Sequence, residues 1–182
     1  MFLKCGKIIY NNINGNDSML KNKKHLAFEK KHKVTILLTK YGDPFSRFIK
    51  LMSRCEYTHA SISIDEEEDL FYSFNLKGFV EEHWKNRKSK HLLSGRKYIH
   101  LYVTDEVFNK LKKELEAFKN RKSEFSYSAF GTILCLFKIP TEFKKRYFCS
   151  RFVAEILNSS GAHQLRRTAS LYLPVHFYKE FI

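Results

Sequence analysis

A chain of 182 residues, 43% apolar with 17 Phe and 10 Tyr, can bury one sizeable core but is short for two domains. That composition excludes intrinsic disorder, and the longest apolar stretch, Ala129 to Phe137, is too short to span a bilayer. The net charge of +14, from 33 Lys and Arg against 19 Asp and Glu, points to an acidic partner or to a solvated lysine-rich surface. The lysines are spread along the chain without a nucleic-acid-binding signature, which favours the solvated surface over nucleic acid.

The four cysteines, Cys5, Cys55, Cys135 and Cys149, form no C-x-x-C pair, so neither a zinc site nor a disulfide framework is indicated. No metal-ligand cluster is legible either, so no cofactor is expected. The stretch Met1 to Lys7 lacks the apolar run of a signal peptide, and the expectation is a soluble, reduced, cytoplasmic protein.

Residues 1–32 hold turn chemistry at Asn11 to Asp17 and a basic run from Lys21, and read as a basic extension ahead of one domain over 33–182. Val34 to Thr39 is a short apolar run bounded by Lys and Gly-Asp-Pro, the pattern of a buried strand. Asp43-Pro44 then caps and starts a helix with Phe45, Phe48, Ile49 and Met52 as its apolar residues, ending near Arg54. Tyr57 to Asp65 alternates: Ala60, Ile62 and Ile64 take one face, His59, Ser61 and Ser63 the other. The small serines suggest a helix approaching on the histidine's side. Asp65 to Asp69 is an acidic turn, and Leu70 to Asn75 is the returning strand.

The hairpin register decides what can support His59, because directly opposed residues share a face. A turn centred on Glu66 sets His59 against Ser73, and one centred on Glu67 sets it against Asn75. A one-residue slip brings Phe74 instead. Gly78 to Lys90 reads as loop and short helix around Trp84. Lys97 to Thr104 is a further strand, and Thr104-Asp105 caps a helix packing Phe108, Leu111, Leu115 and Phe118. Ser128 to Phe137 is a second, more apolar helix, and Tyr172-Leu173-Pro174 leads into a short terminal helix.

Between them, Cys149 opens a helix whose stripe is Phe152, Val153, Ile156 and Leu157, with Gly161 as its stop. Helix N-termini favour anions, and thiols in such places have pKa values lowered to roughly 3.5–7.5 from about 8.5. The thiolate is the nucleophile. The plainer reading is a small hydrophobe in a packed helix, as Cys135 is expected to be. A cysteine at a helix start, a histidine on a strand and a polar residue on the next strand make a thiol-hydrolase triad.

Ser46-Arg47-Phe48-Ile49-Lys50, Tyr57-Thr58-His59-Ala60-Ser61-Ile62 and the distant Phe148-Cys149-Ser150-Arg151-Phe152-Val153-Ala154 resemble the circularly permuted NlpC-type cysteine hydrolases. These are the YiiX-like group of the papain-like superfamily, in which the histidine strand comes first and the cysteine helix last. The lecithin retinol acyltransferase group shares that order, and its Asn-Cys-Glu-His-Phe motif is similar to Phe148-Cys149-Ser150-Arg151-Phe152 in the cysteine and the phenylalanine. The resemblance covers roughly residues 34–182. It implies a papain-like α+β fold with an antiparallel sheet packed on the cysteine helix, Cys149 as nucleophile and His59 as base. The acyltransferases carry a second histidine as third residue. The nearest position here is Ser73, with Asn75 as the other register and Glu81 or Glu82 as substitutes from the next segment.

Two functions follow. One is a thiol hydrolase or acyltransferase that works through an acyl-enzyme on an amide or ester, with a small-molecule, peptide, isopeptide or acyl-lipid substrate and peripheral contact with an anionic membrane. The other is a non-catalytic module on the same fold for an anionic lipid surface or nucleic acid, with Cys149 a packing residue.

Overall fold

The computed structural model describes residues 31–84 and 95–182. The basic extension expected over 1–32 lies almost wholly outside the described residues, and its last residue, His32, already belongs to the first strand. The described residues form a mixed α+β fold built on a five-stranded antiparallel sheet and five α-helices.

Chain order gives β1 (His32–Thr39), α1 (Pro44–Ser53), β2 (His59–Ser63), β3 (Leu70–Asn75), β4 (Gly78–His83), β5 (Arg96–Val103) and α2 (Asp105–Asn120). There follow β6 (Ser126–Tyr127), α3 (Ala129–Leu136), β7 (Arg146–Tyr147), α4 (Cys149–Ser160) and α5 (Pro174–Phe181). The large sheet runs β4-β3-β2-β1-β5, and β6 pairs with β7 as a separate parallel ribbon. β1 lies inside the sheet between β2 and β5 and is buried on both faces from Val34 to Leu38, hence its largely apolar run.

The caps read from the sequence are in place. The Asp43 carboxylate accepts the Ser46 N–H at 3.0 Å ahead of Pro44, and the Thr104 hydroxyl accepts the Val107 N–H. Gly161 ends α4 with φ +79°, a left-handed conformation that suits glycine. Gly78 to His83 differs from expectation: it is strand β4, paired residue for residue with β3 from Leu70↔His83 to Asn75↔Gly78. The remainder of that stretch, 85–90, lies outside the described residues.

The main core lies between one sheet face, with Ile36, Leu38, Ala60, Ile62 and Phe74, and the helices α2 and α4. Phe152, Val153, Ile156 and Leu157 of α4 are essentially fully buried. Each contributes about 1.5–3 kcal/mol on leaving water. Phe74 and Phe152 pack at 5.2 Å between ring centroids, so β3 is tied directly to α4. The helix therefore lies on the Ala60 and Ile62 face, not on the serine face as expected. Ser61 pairs with Leu37, whose face carries the second cluster of Leu37, Phe71 and Trp84. Two isoleucine-lined strands bury more apolar area against α4 than a serine row could. Among the described residues no helix is long and apolar enough to cross a membrane.

Candidate active site

His59 opens β2 at one end of the sheet, and the N-terminus of α4 reaches the same end. The residue before α4 is Phe148, which has no oxygen to cap the helix. The first intrahelical bond is Phe152 N–H to the Phe148 carbonyl at 3.0 Å, so the N–H groups of Cys149, Ser150 and Arg151 have no acceptor within the helix. That end attracts negative charge. Cys149 sits in this field, where the His59 ring and the backbone N–H groups of Ala60 and Ser150 act on its sulfur.

The electrostatics favour an ion pair. Burial opposes ionisation of Cys149, but the His59 ring and the two N–H groups outweigh it and hold the thiol below its ordinary value. Burial likewise opposes charge on His59. The Glu82 carboxylate and the Cys149 sulfur overcome it and hold the imidazole well above its ordinary value. Glu82 Oε1 lies 3.3 Å from His59 Nε2, and both residues are buried. Nε2 is the ring nitrogen that faces the carboxylate. The ring of Tyr41 meets His59 edge-on at 4.8 Å and shields it.

Cys149 and His59 are thus brought together, and Ser73 does not complete them. Its hydroxyl donates to the Ala60 carbonyl at 2.7 Å, which stitches β3 to β2. Ile62 pairs with Tyr72, the register of a turn centred on residue 67, which is the alignment that favours Asn75 over Ser73. Asn75 does line the site, but its side-chain oxygen accepts the Lys77 N–H at 2.8 Å, and the group against His59 Nε2 is Glu82. Strand alternation separates the two carboxylates of β4. Glu82 shares a face with its partner Phe71, while Glu81, opposite Tyr72, pairs with Lys119 at 2.8 Å.

A cavity of about 350 Å³ opens over the sulfur. Tyr41, Phe45, Ile49, Leu76 and Tyr127 supply its apolar walls, and Asp43 and Lys77 its charges. Burial and the neighbouring Cys149 charge push the Tyr127 phenol up, so it stays a neutral O–H donor at the site. The other thiols and imidazoles lie apart. Cys135 is packed with Phe148, Leu173 and Val175, and burial pushes its thiol up to about 12. His100 bonds Thr35 and Glu68, His83 meets Asp69, His163 meets Glu180, and His176 Nδ1 accepts the Leu173 N–H at 3.0 Å to cap α5.

Arg151 fixes the loop that delivers Cys149. Buried beside the thiol's helix turn, its guanidinium donates to the Phe143 and Arg146 carbonyls at 3.2 and 3.0 Å and stacks on the Tyr147 ring at 4.9 Å. Ser150 performs the same service on the other side, donating to the Tyr172 carbonyl at 2.7 Å. Comparison with known protein families finds none that matches this chain, and comparison with curated proteins finds no significant match.

Proposed function

We propose that the protein is a papain-like thiol hydrolase or acyltransferase, with Cys149 as nucleophile, His59 as acid and base, and Glu82 as the residue that orients and charges His59. One observation carries this: a buried Cys149–His59–Glu82 array in which the thiol is held low and the imidazole high. Buried titratable groups cost folding free energy, and a packing module has no need of three in a row at a cavity. The antiparallel sheet packed on a cysteine-bearing helix supports the same reading.

The chemistry would run as follows. The Cys149 thiolate attacks the carbonyl carbon of an amide or ester and forms a C–S bond. The resulting oxyanion takes hydrogen bonds from the Cys149 N–H at the open helix end and from Tyr127. His59 then gives its proton to the departing amine or alcohol, leaving a thioester. Water or an acceptor hydroxyl or amine, deprotonated by His59, attacks the thioester and regenerates the thiolate. The apolar cavity wall suits an acyl chain or an apolar side chain.

The test is acyl-enzyme trapping with p-nitrophenyl esters of graded chain length, read by intact mass and peptide mapping. The expected result is one acyl group on Cys149 in the wild type and none in His59→Ala or Cys149→Ser. Acylation spread over surface nucleophiles, unchanged in either variant, would refute the reading.

A further inference from the structure

α3 is apolar on every side: Ala129-Phe130-Gly131-Thr132-Ile133-Leu134-Cys135-Leu136 contains no charge. Such helices are ordinarily buried all round. Here only Gly131, Thr132 and Cys135 are buried, while Phe130 is 61% exposed and Phe137, at its end, is 59% exposed. α1 packs against α3 and repeats the pattern, with Leu51 76% exposed and Phe48 and Met52 also in solvent. Ile139, just beyond α3, and Leu76, at the lip of the Cys149 cavity, are exposed as well. Most of the large exposed apolar side chains among the described residues thus lie on these two helices or at the cavity mouth. Patches of this kind mark interaction sites.

The charge beside the patch is mostly basic. α1 carries Arg47, Lys50 and, at its end, Arg54, and contains no acidic residue, although Glu56 just beyond it lies 3.8 Å from Lys50. A cavity of about 170 Å³ opens next to Met52 and is lined by Lys138, Arg167, Lys179 and His176 with no carboxylate. None of Lys138, Arg167 and Lys179 has an ion-pair partner among the described residues. An apolar stripe beside the unpaired Lys138, Arg167 and Lys179 is the amphipathic pattern of a surface that lies in a lipid interface, with phosphate headgroups meeting the cations.

We propose that the α1–α3 face docks on an anionic phospholipid surface. Phe130, Phe137 and Leu51 enter the acyl region, and Lys138 and Arg167 take headgroup phosphate. The cavity over Cys149 shares α1 with this face, through Phe45 and Ile49, so docking brings its mouth to the lipid. Docking needs no turnover and stands or falls separately from the chemistry at Cys149.

The experiment is co-sedimentation of the full chain with phosphatidylcholine vesicles, with and without phosphatidylserine. Three proteins are compared: wild type, the triple variant Leu51→Ser, Phe130→Ser, Phe137→Ser, and the double variant Lys138→Gln, Arg167→Gln. The expected result is binding that requires phosphatidylserine, falls about tenfold or more in the triple variant at unchanged net charge, and weakens in the double variant. The three serine substitutions are at exposed sites, and circular dichroism of each variant checks that the fold is kept. Undiminished binding by the triple variant would mean that net charge alone attracts the protein, and would overturn the proposal. So would equal binding to both vesicles, or a wild-type dimer in sedimentation velocity that the triple variant dissolves.

Discussion

Glu82 and His59 face each other at 3.3 Å with side-chain exposures of 3% and 6%, so each charge is sheltered from water by the other. A carboxylate so enclosed is destabilising without its partner, and an imidazolium so enclosed would lose its proton without the carboxylate. The pair sets the charge state of Cys149. Glu82→Gln keeps the shape and removes the charge. His59 should then titrate lower and the thiol higher, and each unit by which the thiol rises above the working pH cuts its thiolate about tenfold. Ser73→Ala is the contrast: it should leave alkylation of Cys149 unchanged and cost about 1 kcal/mol of stability, through the lost bond to the Ala60 carbonyl. Iodoacetamide rates and denaturant melts on both variants check this. A Ser73→Ala rate as low as that of Glu82→Gln would return Ser73 to the site.

The opposite shifts of the two groups set a pH window. The thiol is held low and the imidazole high, so between them the pair is thiolate and imidazolium. Below the lowered thiol value the sulfur takes up a proton and alkylation slows. Above the raised imidazole value His59 loses the proton that the leaving group needs, while the sulfur stays anionic. Alkylation should therefore rise once, at a lower pH than for an ordinary thiol, and then stay flat, whereas turnover should be bell-shaped. In His59→Ala the alkylation midpoint should move up to about 8.5 or beyond, the range of an unassisted thiol. Cys135 is the internal control, since burial holds its thiol near 12. Peptide-mapped labelling against pH decides it, and equal rates at Cys149 and Cys135 would rule out an activated thiol.

The elements legible in the sequence are those with strong local signals: the Asp43-Pro44 start of α1, the Thr104 cap of α2 and the Cys149 stripe ended by Gly161. The approach of Cys149 to His59 was readable because each lies at the end of a clearly patterned element. β4 was not, because Gly78-Phe79-Val80-Glu81-Glu82-His83 puts two carboxylates where a strand usually alternates. Its tertiary pairing with β3 overrides that local weakness. With β4 unread, Glu81 and Glu82 could not be told apart, although alternation along a strand separates them at once. The phase of the period-two pattern was right for β2, but which face receives α4 depends on where the apolar partner lies. No window of β2 contains that information.

Gly78 is where β4 depends on glycine. Its φ of +101° is unfavourable for an L side chain, and an added Cβ would lie 3.1 Å from the Phe125 carbonyl oxygen. Gly78→Ala should cost about 1–2 kcal/mol. Because β4 also carries Glu82, the loss should extend to the site, with slower Cys149 labelling at temperatures where the fold is intact. Thermal melts and labelling on the same sample test it. A variant as stable as wild type would show that the turn relaxes freely.

His176 gives the fold a pH dependence of its own. Burial first, then the charges of Arg167 and Lys179, lower its value to about 4 from 6.5. The folded state therefore holds the ring neutral where the unfolded chain already binds a proton. As pH falls from 6.5 towards 4 the unfolded state holds more protons, so this contribution to stability is lost over that window and is fully present above it. His176→Gln keeps an acceptor for the Leu173 N–H, as glutamine does at this position of a capping box, and does not titrate. The difference in Tm between variant and wild type should accordingly move in the variant's favour between pH 6.5 and 4, and should not change between pH 7 and 8. Parallel melting curves across the whole range would mean that His176 titrates as a free histidine, and that the cations around it exert no such field.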